Sequence, residues 1–114
     1  MYKQGDIIIV NYLFSDDIKK SKLRPAIIVS NLSSNSLDND LLICPITTSI
    51  RALQFSFLIS ESDITNPLPR NSEIRCNKIV TLRSSLIIKK ISSLHPKSLE
   101  KVLTIIQSIF NSQN

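Results

Sequence analysis

Glycine is nearly missing: Gly5 is the only one among 114 residues. Loops that cradle phosphates are built from several glycines, so P-loop and dinucleotide-binding fingerprints are excluded, and nucleotide-cofactor chemistry with them. Turns must fall instead to Asn, Asp and Ser, which tolerate positive φ better than other residues bearing a side chain. Histidine is equally scarce. His95 alone cannot form a two-histidine acid–base pair, no acid or nucleophile for a triad stands near it, and it is read as structural. Two cysteines, Cys44 and Cys76, allow at most one bridge and, with a single histidine, too few donors for a protein-only Cys/His zinc site. Both are read as small core residues in a reducing, cytoplasmic setting. Long apolar runs are absent too. The longest, residues 7–10 and 41–46, fall far short of the ~20 residues of a spanning helix, and no signal peptide is read at the start.

The carboxylates Asp16, Asp17, Asp38, Asp40, Glu61, Asp63 and Glu73 fall mainly in turn-rich segments without a ligand spacing, so no metal or other cofactor is expected. Tryptophan is absent, and most of Tyr2, Tyr12, Phe14, Phe55, Phe57 and Phe110 read as core or strand positions, leaving few platforms for base stacking.

What remains is a chain that is 42% hydrophobic and 20% charged, enough apolar side chain for one modest core in a single domain, residues 1–114. Short β-branched runs at residues 6–12, 25–30, 41–46, 55–59, 73–82 and 87–91 predict strands. Residues 15–22, 31–40 and 60–71, rich in Ser, Asn, Asp and Pro, predict turns and loops. Leu99, Val102, Leu103, Ile106, Ile109 and Phe110 recur at intervals of three and four and predict an amphipathic helix, with Pro96 at its first position and His95 at its cap. Five or six short strands and one terminal helix are best closed as a small, strongly bent barrel, mainly β, with the helix over an open face.

Charge gives the first functional direction. Fourteen Lys and Arg against nine Asp and Glu leave +5, and the surplus is clustered. Lys19, Lys20, Lys22 and Arg24 fill four of six positions before the second strand. Arg70, Arg75, Lys78, Arg83, Lys89, Lys90, Lys97 and Lys101 form a second basic zone. Brought together, the zones would make a groove for a nucleic-acid backbone. RNA carries its own nucleophile, the 2′-OH, so its cleavage needs mainly a held backbone and donors aimed at the developing charge on phosphorus. An arginine fork and a Thr or Ser hydroxyl supply such donors. Arg24 at the base of a strand, and Thr47, Thr48 and Ser49 after residues 44–46, offer this pairing.

Those residues also carry a resemblance. The opening strand Gly5-Asp6-Ile7-Ile8-Ile9-Val10 is followed by Arg24-Pro25-Ala26-Ile27-Ile28-Val29-Ser30-Asn31, then Ile43-Cys44-Pro45-Ile46-Thr47-Thr48, then Lys78-Ile79-Val80-Thr81-Leu82 and a final amphipathic helix. In that order the chain resembles the MazF/PemK toxins of type II toxin-antitoxin modules over nearly its whole length. The resemblance implies an SH3-like, CcdB/PemK/MazF-like barrel. It also implies a homodimeric, metal-independent endoribonuclease, an mRNA interferase that inhibits growth and is held in check by a cognate antitoxin. Carried over by motif, Arg24 and Thr47 would be catalytic. Lys19, Lys20, Lys22, Thr48, Ser49 and Lys78 would bind single-stranded RNA. Attack by the 2′-OH would leave a 2′,3′-cyclic phosphate and a 5′-OH. Strand alternation sends Thr47 and Thr48 to opposite faces, so Thr48 competes with Thr47 for the site. The chain departs from the family pattern at Val80 and Arg83 and in the segment before Arg24, which lacks the glycines and the glutamate common there. The alternative reading is a toxin or degenerate relative of the same fold that binds a protein target, as gyrase-poisoning toxins do, or binds RNA without cutting it.

Overall fold

The computed structural model describes residues 2–12 and 22–113. Seven strands and two α-helices follow in the order β1 (Asp6–Tyr12), β2 (Lys22–Ile28), α1 (Leu32–Asp38), β3 (Asp40–Thr47), β4 (Ser56–Ile59), β5 (Ser72–Arg75), β6 (Val80–Arg83), β7 (Ile87–Ser93) and α2 (Pro96–Ile109). All ladders are antiparallel. The sheet order is β4-β5-β3-β2-β1-β7, with β6 also paired to β3. No ladder closes it among the described residues, but the chain beyond β4 returns to β7 through an Ile64↔Leu94 bridge and a bond from the Thr65 N–H to the Ser93 carbonyl at 2.9 Å. The result is a bent, barrel-like sheet.

Alternation along the central strands feeds two cores. Ile7, Ile27, Val29, Cys44 and Ile46 face one side, where Val102 of α2 and Ile74 of β5 complete the cluster. Ile8, Val10, Ala26, Ile28, Leu41 and Ile43 face the other, with Leu82 of β6. A sheet apolar on both faces explains why the first three strands are near-continuous Ile and Val runs rather than alternating ones.

Three expectations are corrected. Residues 73–82 are two strands, not one. β3 pairs β6 through Ile43↔Val80 and β5 through Ile46↔Ile74, so three residues of β3 are spanned by six of its partner. The surplus becomes a turn, in which the Lys78 N–H bonds the Arg75 carbonyl at 3.1 Å. Residues 31–40 contain α1 rather than a loop. Asn31 caps it by accepting the Ser34 N–H at 3.0 Å, and Asn39 ends it in the left-handed region at φ 61°. With seven strands the sheet also exceeds the expected five or six.

The terminal helix begins as expected, with Pro96 in its first turn and His95 at the cap, although the imidazole makes no capping bond. Its start is instead fastened from outside. The His95 N–H bonds the Asp63 carbonyl at 2.8 Å, and Ser98 Oγ donates to Asp63 Oδ1 at 2.7 Å. Phe110 falls past the helix end and is 73% exposed, so it is not part of the buried stripe.

Candidate functional site

Arg24 and Thr47 lie on the neighbouring strands β2 and β3, each two residues past the last pair of their ladder. β2 and β3 pair as Ile28↔Ile43, Ile27↔Cys44 and Ala26↔Pro45. Carried two residues past the last hydrogen-bonded pair, the same register faces Arg24 with Thr47. The ladder stops where it does for a chemical reason. Pro25 has no N–H to give toward β3, while on its other edge β2 continues beside β1 as far as Tyr12↔Lys22. Arg24 and Thr47 therefore flank the open end of the β2–β3 seam.

The pleat also decides which side they take. Arg24 pairs with Val10 and alternates with Ala26 and Ile28, and Thr47 alternates with Leu41 and Ile43; all five apolar residues belong to the second core. Arg24 and Thr47 thus share the face of that core, and Thr48 falls on the opposite parity. Arg24 is exposed, Thr47 half-buried, and Thr48 and Ser49 exposed. The Ser49 N–H donates to Thr47 Oγ1 at 3.0 Å. With a lone pair so occupied, the Thr47 hydroxyl keeps its proton to donate to a ligand.

The other proposed contacts are less gathered. Lys19 and Lys20 lie outside the described residues. Lys22 is placed by its backbone alone, at the far end of β2. Lys78 is exposed in the turn between β5 and β6, along the edge of β3 that does not carry β2. Part of the second basic zone is neutralised by pairing. Lys90 Nζ stands 3.3 Å from the buried Asp6, Arg83 Nε 3.5 Å from Asp40, and Arg75 Nε 2.8 Å from Glu73. Lys97 and Lys101 flank a groove on α2 together with Glu100, over the first core. Among the described residues, three cations of the second zone thus do not stand free of carboxylates. Nor do those residues contain a group of three or more His, Cys, Asp or Glu side chains able to hold a metal ion.

Glu73 is the residue that sequence reasoning passed over. It is fully buried and is the register partner of Thr47. Its Oε1 accepts the backbone N–H groups of Arg51 at 3.0 Å and Ala52 at 3.1 Å; its Oε2 accepts Ser56 Oγ at 3.1 Å and Arg75 Nε at 2.8 Å. Burial alone would raise its pKa, but the Ala52 and Arg51 N–H groups, the Ser56 hydroxyl and Arg75 outweigh it and hold the carboxyl below the usual range. Arg75 Nη2 also donates to the Ser49 carbonyl at 2.9 Å. In the sequence, Ser72-Glu73-Ile74-Arg75 reads as a half-exposed alternation. The available signal was Glu73 and Arg75 two apart on a strand, hence on one face.

A family model described as PemK-like, MazF-like toxin of type II toxin-antitoxin system matches residues 3–110. No match was found among curated protein sequences. Among solved structures, an endoribonuclease in complex with its cognate antitoxin from a mycobacterial species is 17% identical, with a TM-score of 0.77 over 99% of this chain and 100% of that one. A MazF toxin of Mycobacterium tuberculosis is 18% identical, with a TM-score of 0.74 over 96% and 99% of the two chains. The MazE-MazF structure from Deinococcus radiodurans is 14% identical, with a TM-score of 0.74 over 98% and 97%. At these identities the likeness establishes the fold.

Proposed function

The chain belongs to the PemK-like, MazF-like toxins of type II toxin-antitoxin systems, and from that premise we propose that it is a metal-independent endoribonuclease cutting single-stranded RNA, with Arg24 and Thr47 as its catalytic residues. The reading is supported by the β2–β3 register, which, extended two residues past Ala26↔Pro45, would bring Arg24 opposite Thr47 at the open end of the seam. A guanidinium is a permanent cation with a rigid donor fork, suited to clamp the scissile phosphate and the charge that grows on it. The Thr47 hydroxyl adds a donor to a phosphate or leaving oxygen. The substrate supplies the nucleophile. The bond from its 2′ oxygen to phosphorus forms, the bond from phosphorus to the 5′ oxygen breaks, and the products are a 2′,3′-cyclic phosphate and a 5′-OH. The 2′ proton leaves to a base other than Arg24, which is already protonated, and the departing 5′ oxygen takes up one proton in return, so the step consumes no net acid or base.

The RNA would run past Thr48 and Ser49 and along the basic segment that ends in Lys22 and Arg24, with Lys78 as an outlying contact. A cognate antitoxin would compete for this positive surface. In the single chain Leu23 of β2 and Ile88 of β7 are 60% and 54% exposed, apolar area that a homodimer contact would cover.

The test is cleavage of a labelled single-stranded RNA in excess chelator beside its DNA copy. We expect RNA fragments with cyclic phosphate ends and intact DNA, which has no 2′-OH. Arg24→Ala is expected to lower turnover by about 100-fold or more while leaving the thermal midpoint near that of the parent. Cutting of the DNA, loss of activity with chelator, or a fully active Arg24→Ala would refute the reading. RNA binding without product would favour a non-cleaving toxin instead.

A further inference from the structure

Residues 48–54, the connection that follows Thr47, are all exposed, so apolar packing does not fix their path. They nevertheless hold a demanding conformation. Ala52 at φ 51° and, just after them, Phe55 at φ 69° are left-handed without being glycine. Such residues persist only where the surroundings over-determine them, and they cluster at functional sites. Phe55 is held through the backbone, its carbonyl accepting the Cys76 N–H at 3.0 Å beside a bond from the Ser56 N–H to the Leu53 carbonyl at 3.1 Å. At Ala52 the determinant is one carboxylate. Glu73 binds the Arg51 and Ala52 N–H groups with one oxygen and Ser56 and Arg75 with the other, and Arg75 reaches on to the Ser49 carbonyl. Ser49 in turn donates its N–H to Thr47 Oγ1. An unbroken chain of bonds thus runs from Glu73 through Arg75 and Ser49 to the Thr47 hydroxyl.

We propose that Glu73 is a positioning residue for RNA cleavage, fixing the β3–β4 connection so that Ser49 holds the Thr47 hydroxyl with its proton turned toward the scissile phosphate. The inference rests on the endoribonuclease reading above. Glu73 itself, closed off from solvent and saturated by four donors, touches no substrate.

The experiment measures kcat and KM on a short RNA for Glu73→Gln, Thr47→Val and the double variant, with each rate divided by the folded fraction found by circular dichroism. Glu73→Gln is expected to lower kcat by about 10- to 100-fold, the scale of a roughly ångström-sized misplacement, with KM changed little. In the Thr47→Val background the same substitution should cost almost nothing more, because residues acting through one network are not additive. Losses that multiply in the double variant, or a Glu73→Gln enzyme at full kcat, would overturn the proposal. Should Glu73→Gln fail to fold, Ser56→Ala removes a single donor to the same carboxylate. It should lower kcat in the parent but not in Thr47→Val, and an unchanged kcat in the parent would equally overturn the proposal. The two readings fail differently. An inactive parent protein or a fully active Arg24→Ala removes both, whereas an active parent, a dead Arg24→Ala and an unimpaired Glu73→Gln remove only the positioning role.

Discussion

Replacing Glu73 with glutamine should cost stability in a way that depends on pH. The carboxylate accepts four donors, two of them backbone N–H groups. An amide can satisfy two with its oxygen, but its NH2 then points at either the Ser56 hydroxyl and Arg75 Nε or the two N–H groups, donor against donor. Arg75, at 15% side-chain exposure, is left without its counter-ion. Breaking a buried pair from one side costs about 3–5 kcal/mol. With a urea slope of about 1–3 kcal/mol/M for small proteins, the unfolding midpoint at pH 7 should fall by about 2 M. The sign of the pH effect follows from the direction of the shift. The folded carboxyl titrates below its ordinary value of 4.5, so its stabilisation is complete above that value and is lost as pH falls through the lower, folded one. The gap between parent and variant should therefore be widest at neutral pH and narrow on acidification. Urea melts followed by circular dichroism between pH 7 and pH 3 measure it. A gap below about 1 kcal/mol at pH 7, near the value of an ordinary neutral hydrogen bond, or one constant across that range, would refute the role assigned to this carboxylate.

Gly5 and the two thiols give two further expectations. Gly5 sits at φ 92°, and an added Cβ would come within 3.2 Å of Leu99 Cδ2; Gly5→Ala should destabilise by about 1–2 kcal/mol, mostly from the backbone, and a neutral result in thermal melts would contradict that geometry. Burial raises Cys44 to about 12, with Cys76 beside it adding to the rise, and raises Cys76 to about 11. Both thiols should therefore resist a thiol-reactive dye at pH 8 in the native protein and react on unfolding; rapid native labelling would be the contrary result.

The parts of the fold legible in the sequence are those whose apolar period matches their burial. β1 spans the predicted residues 6–12 because Ile7, Ile8 and Val10 are all fully buried in a two-sided sheet. α2 was visible from its stripe around the fully buried Val102. α1 left no such trace. Its leucines, Leu32 and Leu37, are 59% and 83% exposed, and its one buried residue is Asn35, bonded to Ser30. What fixes that helix is capping and a polar contact, which periodicity does not register. Residues 73–82 kept an apolar pattern across a break whose cause is the path of β3, not anything local.

The candidate site divides along the same line. Arg24 and Thr47 were nameable as residue types beside basic and hydroxyl neighbours, but their meeting depends on register, and a slip of one residue would have brought Thr48 to the face of Arg24 instead. The prolines are what made the place readable. In a sheet covered on both faces, Pro25 and Pro45 are expensive wherever a ladder must continue, so each marks a point where pairing is given up. Pro25 gives it up toward β3 and Pro45 toward the β5–β6 edge, and Arg24 precedes one while Thr47 follows the other by two residues. A seam that continued past Pro25 would draw the two strands together and leave no space between them at Arg24 and Thr47, whose own backbone groups face the outer neighbours β1 and β5. Ending it there leaves one cation and one hydroxyl at an open strand end, on a face already set by the core beneath them.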